Sequence, residues 1–149
     1  MASLTPKSAV KIVNALVPDD FGNTAPNATQ CLNVDTLGFR WATFVVQVGN
    51  VAGTSITCKV QESSDNFVSD AASDITGASI PVWGDTDDST LKSITIDLQR
   101  CERYLQLAFT YGSITASDVS ACCILWGATD SLSIGTAGVQ TNATGPFPV

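Results

Sequence analysis

Residues 54–65 read T-S-I-T-C-K-V-Q-E-S-S-D, an apolar-polar alternation that runs into a polar turn. Successive strand side chains point to opposite faces, so Ile56, Cys58 and Val60 take one face and Thr57, Lys59 and Gln61 the other. This is a strand buried on one side. Similar runs flank it. Residues 41–48, W-A-T-F-V-V-Q-V, are apolar on both faces and read as a central strand. The intervening G-N-V-A-G, 49–53, predicts a reversal, so 41–48 and 54–62 are expected to pair as a hairpin.

Further along, 91–98 sets Ile94, Ile96 and Leu98 against Thr95 and Asp97, and 103–111 sets Leu105, Leu107, Phe109 and Tyr111 on one side. Residues 113–117 read as a polar connection and 120–126 as the last core strand. Towards the N-terminus, 9–17 also offers a helical face through Val10, Val13, Ala15 and Leu16. Its β-branched content and the stop at Pro18-Asp19-Asp20 favour a strand, and 29–34 reads as a short one. The polar region 63–89 reads as a loop with a short edge strand, anchored by Phe67, Ile75 and Trp83.

Seven or eight short strands spaced by about ten residues, with no amphipathic helix, predict an all-β chain folded as an antiparallel β-sandwich. Periodicity does not separate immunoglobulin-like from jelly-roll topology. The sandwich is expected over 1–127. Residues 128–149 change to small residues, with three Gly, two Pro and no charge after Asp130, and predict an extended C-terminal arm or a frayed tail. The last stretch of such an arm spans on the order of 50 Å for 15 residues at about 3.3 Å each. Its apolar end, Pro146-Phe147-Pro148-Val149, is what would dock.

The 149 residues suit one domain with its own core. Charged residues are 14% of the chain, against about 25% in ordinary soluble domains, a composition that fits secreted modules and subunits of large assemblies. The net charge of −7 repels phosphate, so nucleic acid is not an expected partner. Five Cys lack C-x-x-C spacing and no His accompanies them, which excludes the common zinc sites and predicts mostly buried thiols. The N-terminus lacks a signal-peptide pattern and no run approaches a membrane span. The expectation is a reduced chain made in the cytoplasm, without membrane contact.

Without His, the Ser-His-Asp and Cys-His triads are excluded. The strongest carboxylate group is Asp85-Thr86-Asp87-Asp88-Ser89. Its oxygens are spaced as calcium ligands can be, but the following Gly and distant bidentate Glu of a calcium loop are missing. A solvated acidic turn is the expectation, with no cofactor. Trp83, in the same polar region, is a candidate sugar-stacking platform, whereas Trp41 and Trp126, at strand ends, read as core or interface.

Four segments, K-V-Q-E-S-S-D-N-F-V-S-D from 59, D-I-T-G-A-S-I from 74, I-T-I-D-L from 94 and R-C-E-R-Y-L-Q-L from 100, resemble a pattern of small structural proteins of tailed bacteriophages. In those a strand ending in a Q-E-S-type turn precedes an extended loop and an R-Y-L-type strand. The resemblance covers about 40–126. It implies a capsid decoration, or cement, protein of jelly-roll type, sitting as a homotrimer on the capsid exterior with the major capsid protein lattice as partner, made in the host cytoplasm. No site residues carry over from it. The candidate partner contacts come from the loop and arm instead: Phe67, Trp83, Asp85, Asp87, Asp88, Phe147 and Val149. A glycan-binding module of a phage tail or fibre is the alternative.

Overall fold

In the computed structural model, residues 10–128 are described. They form eight strands: β1 (Lys11–Asp20), β2 (Val34–Asp35), β3 (Phe39–Gly53), β4 (Ile56–Ser63), β5 (Ser73–Trp83), β6 (Thr90–Asp97), β7 (Tyr104–Tyr111) and β8 (Ile114–Ala128). One turn of 3-10 helix, Leu98–Arg100, follows β6 and is capped by the Asp97 carboxylate. The strands make two four-stranded antiparallel sheets, ordered β1-β8-β3-β6 and β2-β7-β4-β5. Among the described strands, the β4–β5 connection is the one that stays within a sheet; each other connection crosses to the opposite layer.

The β4 alternation holds: Ile56, Cys58 and Val60 are buried in the core between the sheets. There they meet Phe44, Val46 and Val48 of β3, Leu105 and Leu107 of β7, and Cys123 and Leu125 of β8. Burying each large side chain is worth about 1.5–3 kcal/mol, and the two sheets cover each other's apolar faces.

The expected hairpin between 41–48 and 54–62 does not form. β3 pairs with β6 and β8, whereas β4 pairs with β5 and β7. Residues 49–53 are not a reversal but the end of β3, carried past two register shifts against β8, with Val51 buried. The chain changes sheets at Gly53. Its φ of +136° is open to glycine alone, and a Cβ there would collide with the Ser113 carbonyl oxygen.

Three other segments are longer than the sequence predicts. β1 runs through Pro18 to Asp20, pairing with β8 across two irregularities instead of stopping at the proline. The polar 113–117 connection belongs to β8, with Ile114 and Ser117 buried. The short edge strand becomes the eleven-residue β5, whose own irregular register against β4 brings Trp83 inward.

Candidate functional site

The acidic turn 85–89 is used by the fold itself. The Asp88 carboxylate accepts the Val51 N–H at 2.7 Å and the Asp85 carboxylate the Gly53 N–H at 3.2 Å. Asp87 accepts the Gly84 N–H at 2.9 Å and the Lys92 ammonium at 3.2 Å, bonds that lower its carboxyl below the usual range. The turn is therefore a clamp on the irregular end of β3, satisfying backbone donors that its ladder leaves open. No group of three or more His, Cys, Asp or Glu among the described residues is arranged to hold a metal ion.

Trp83 is fully buried, as its reading as an anchor of 63–89 expects and contrary to its reading as an exposed sugar platform: neither indole face is open to a sugar ring or a partner. Lys92 sits 5.1 Å above the ring and donates to the Val82 carbonyl at 2.6 Å. The indole N–H has no acceptor among the described residues.

Phe67 lies at the other end of β4, half-buried, in a loop organised by Asp65. That carboxylate accepts from the Val68, Ser69 and Asp70 amides and from the Ser69 hydroxyl, which together hold its pKa far below the usual carboxylate range. Asn66 and Phe67 both take positive φ, 65° and 61°, and the Ser63 hydroxyl accepts the Phe67 N–H at 2.9 Å. Asp85, Asp87 and Asp88 thus cluster with buried Trp83 beside β3, while Phe67 stands apart. Phe147 and Val149, with the arm they belong to, lie outside the described residues.

The two outward faces of the sandwich differ in chemistry. On the second sheet, Lys59 bonds Asp74 at 2.6 Å and Gln61 bonds the same carboxylate at 2.7 Å. Gln106, 5% exposed, donates its side-chain amide to the Ala28 and Cys31 carbonyls and to Asn33 at 2.7–2.8 Å. The segment around 27–33 is thereby fastened over β7. Alternation along the sequence places Gln106 outward correctly but does not reveal this covering loop.

On the first sheet the outward residues are uncharged over most of its length. Trp41 and Trp126 stack with centroids 5.5 Å apart and planes 18° from parallel. The Trp126 indole donates to the Thr43 hydroxyl at 3.0 Å, which pairs with Thr95 at 3.0 Å, so one polar ladder crosses β8, β3 and β6. An Arg40–Asp97 ion pair at 3.2 Å closes this end, with the guanidinium 5.1 Å over Trp41. At the other end a groove of about 250 Å³ runs between Pro18, Val45, Leu91 and Cys122, and Leu91 is 59% exposed.

No protein family and no curated protein matches this sequence. Solved structures of similar outline include the following two. The SPBc2 prophage-derived protein YomS is 16% identical, with 80% of this chain and 95% of that one covered and a TM-score of 0.49. A structure from work on Bacillus endospore appendages, described as a novel family of disulfide-linked pili, is 11% identical over 81% of this chain and 92% of that one, with a TM-score of 0.42. At these values neither protein's role passes to this chain.

The five cysteines are free thiols. Burial raises the Cys31 and Cys101 thiols to about 11 and pushes Cys58 and Cys123 higher still, so these four stay protonated at neutral pH and are poor nucleophiles. As their adjacency predicts, Cys122 and Cys123 face opposite sides of β8: Cys123 is in the core, Cys122 on the outward face.

Proposed function

We propose that this chain is a non-enzymatic structural subunit of a bacteriophage virion, a capsid decoration protein that binds the assembled major-capsid lattice from outside and stabilises it. The observation that carries the reading is the strand order. Eight strands divide into β1-β8-β3-β6 and β2-β7-β4-β5, with connections that cross between layers everywhere except β4–β5. That order supports a jelly roll, two interlocked Greek keys common in capsid proteins, and it agrees with the phage structural pattern read in 40–126.

Other features fit the same role. The acidic turn braces backbone rather than facing a cleft, and the first sheet presents an uncharged outer face suited to permanent contact. A subunit that binds only the assembled shell stabilises it by mass action, and several copies joined in a trimer multiply weak contacts through effective concentration. The glycan-binding alternative loses its named platform, because Trp83 is buried.

The test compares particles with and without the chain. Particles lacking it should release their genome at lower temperature, and adding purified protein back should restore the wild-type threshold. Equal robustness of the two particles removes the stabilising role. Sedimentation of the purified chain reports its assembly state directly, with a trimer expected and a strict monomer counting against lattice cementing.

A further inference from the structure

Two four-stranded sheets have four edge strands, and three of them are guarded. β1 carries Pro18 and two irregularities against β8, and its outer edge is covered by the Leu16–Cys31 bridge and by the Leu32 N–H, which donates to the Ala15 carbonyl at 2.8 Å. β2 is two residues long. β5 carries Pro81, takes φ +80° at Gly77 and shifts register twice against β4. Proline, bulges, brevity and covering segments keep an edge from pairing with a foreign strand. β6 has none of these. Its eight residues, without proline or glycine, pair β3 in unbroken register, and their other side meets no strand among the described residues.

We propose that β6 takes up an extended segment of another protein as a fifth strand of its sheet. The segment runs antiparallel to β6, sets alternate apolar side chains in the cleft between β5 and β6, and places a basic N-terminal end beside Glu62.

The cleft is the open flank of the sandwich. Near the start of β6 that flank is shut, because Lys92 turns inward and donates to the Val82 carbonyl at 2.6 Å and to Asp87 at 3.2 Å. An inward charge is itself an edge guard, so the free stretch is Ser93–Asp97. There the layers part around a cleft of about 600 Å³, with Ile94 and Ile96 of β6 on one wall and Ile75 and Ala78 of β5 on the other. Ile94 and Ile75 remain half-buried rather than covered. A strand laid beside β6 sends every second side chain to the same side as Ile94 and Ile96. In such additions the main-chain bonds supply affinity, and pockets for alternate side chains supply selectivity.

Charge at the far end of the cleft sets the segment's direction. Glu62, Asp74 and Asp97 line that end against one guanidinium, Arg100. Asp74 and Asp97 already hold Lys59 and Arg40. Glu62 holds no cation among the described residues; it accepts the Glu102 N–H at 2.8 Å. Lost hydration, a hydrogen bond with Asp70 and the charges of Asp70, Glu62 and Asp65 raise the Glu102 carboxyl above its usual value. In a chain of net charge −7, a cation arriving here relieves repulsion and a carboxylate adds to it. β6 ends at this side of the cleft with Asp97, so the first residues of an antiparallel strand reach it.

The experiment titrates the full chain with two end-blocked peptides, K-K-V-T-V-T-V and E-E-V-T-V-T-V, and follows amide hydrogen exchange residue by residue. At saturation the lysine peptide should slow exchange of the outward-facing amides of Ser93–Asp97 about ten-fold or more and leave β1 and β5 unchanged. The glutamate peptide should bind about three-fold or more weakly. Ile94→Lys, which adds a second inward charge to the edge, should abolish uptake. Glu62→Gln, which leaves the cleft walls intact, should bring the two peptides close to equal affinity and keeps the test decisive if Ile94→Lys does not fold. Absence of slowed exchange in Ser93–Asp97 with either peptide at millimolar concentration overturns the proposal, as does equal slowing at all edges. Protection already present without peptide also overturns it. If that protection fades on dilution the edge pairs with a second copy, and if it persists the chain covers its own edge. Each result is independent of whether the chain decorates a capsid.

Discussion

The two sheets of this sandwich have inner faces of the same kind and outer faces of opposite kinds. The second sheet completes itself: Gln106 fastens the 27–33 segment over β7, and Lys59, Gln61 and Asp74 form a polar network beside it. The first sheet carries a stacked tryptophan pair, a hydroxyl ladder and an apolar groove with no covering element among the described residues. One face is closed by hydrogen bonds made within the domain, where loss of a partner strands a buried group. The other has little to lose by mutation in isolation and much to gain from contact. Under the proposed function, the closed sheet serves stability and the open one is the face offered for assembly.

The largest effect should come from breaking the closed face. Gln106→Ala removes the donor shared by the Ala28 and Cys31 carbonyls, one of them in a buried bond. Stranding such groups costs about 1–3 kcal/mol each, so denaturant unfolding should show a loss in that range together with faster hydrogen exchange in 27–33. On the open face, Trp126→Ala gives up one aromatic stack of about 0.5–1.5 kcal/mol and the bond to Thr43. The domain should stay folded with a smaller drop in unfolding midpoint, while assembly onto particles falls more steeply. A Gln106→Ala variant no less stable than Trp126→Ala would erase the distinction between the faces.

Much of this arrangement was legible in residue order. The period-2 pattern of β4, β6 and β7 is strict because each has one face against the core, and a one-residue slip would turn that face to water. The β3–β4 connection was not legible. Gly49 to Gly53 have the composition of a turn, yet they continue as strand because Asp85 and Asp88, more than thirty residues away, accept the Gly53 and Val51 amides. Trp83 holds as an anchor, but not as an exposed platform, for a related reason. Its neighbours 84–89 are polar, but irregular pairing of β5 with β4 breaks the alternation and rotates the indole inward, opposite Ile56. Asp85, Asp87 and Asp88, expected as partner contacts, accept backbone amides of Gly53, Gly84 and Val51, a bracing role that their composition did not reveal. The stacked tryptophans were separated by 85 positions, and only the adjacency of β3 and β8 joins them.

The smallest expected effect concerns a feature that the sheets share. Each carries an arginine fork beside an aromatic ring: Arg40 on Asp97 at 3.2–3.3 Å over Trp41, and Arg103 on Asp35 at 2.7–2.8 Å over Tyr104. The Arg103 side-chain bonds lower the Asp35 pKa, and the Arg40 bonds lower that of Asp97. A carboxylate whose folded pKa lies below its unfolded value stabilises the fold fully above the unfolded value, about 3.9 for Asp, and loses that contribution as pH falls through the folded one. Both forks are more than one-third exposed, so solvent screens them and each effect is small. Unfolding midpoints should be flat from pH 7 to 5 and fall below about pH 4. The shorter fork joins β2 to Arg103, the residue before β7, and helps hold the closed face. Asp35→Asn should therefore flatten the acid limb more than Asp97→Asn does, and equal flattening would show that the two sheets draw equally on their ion pairs.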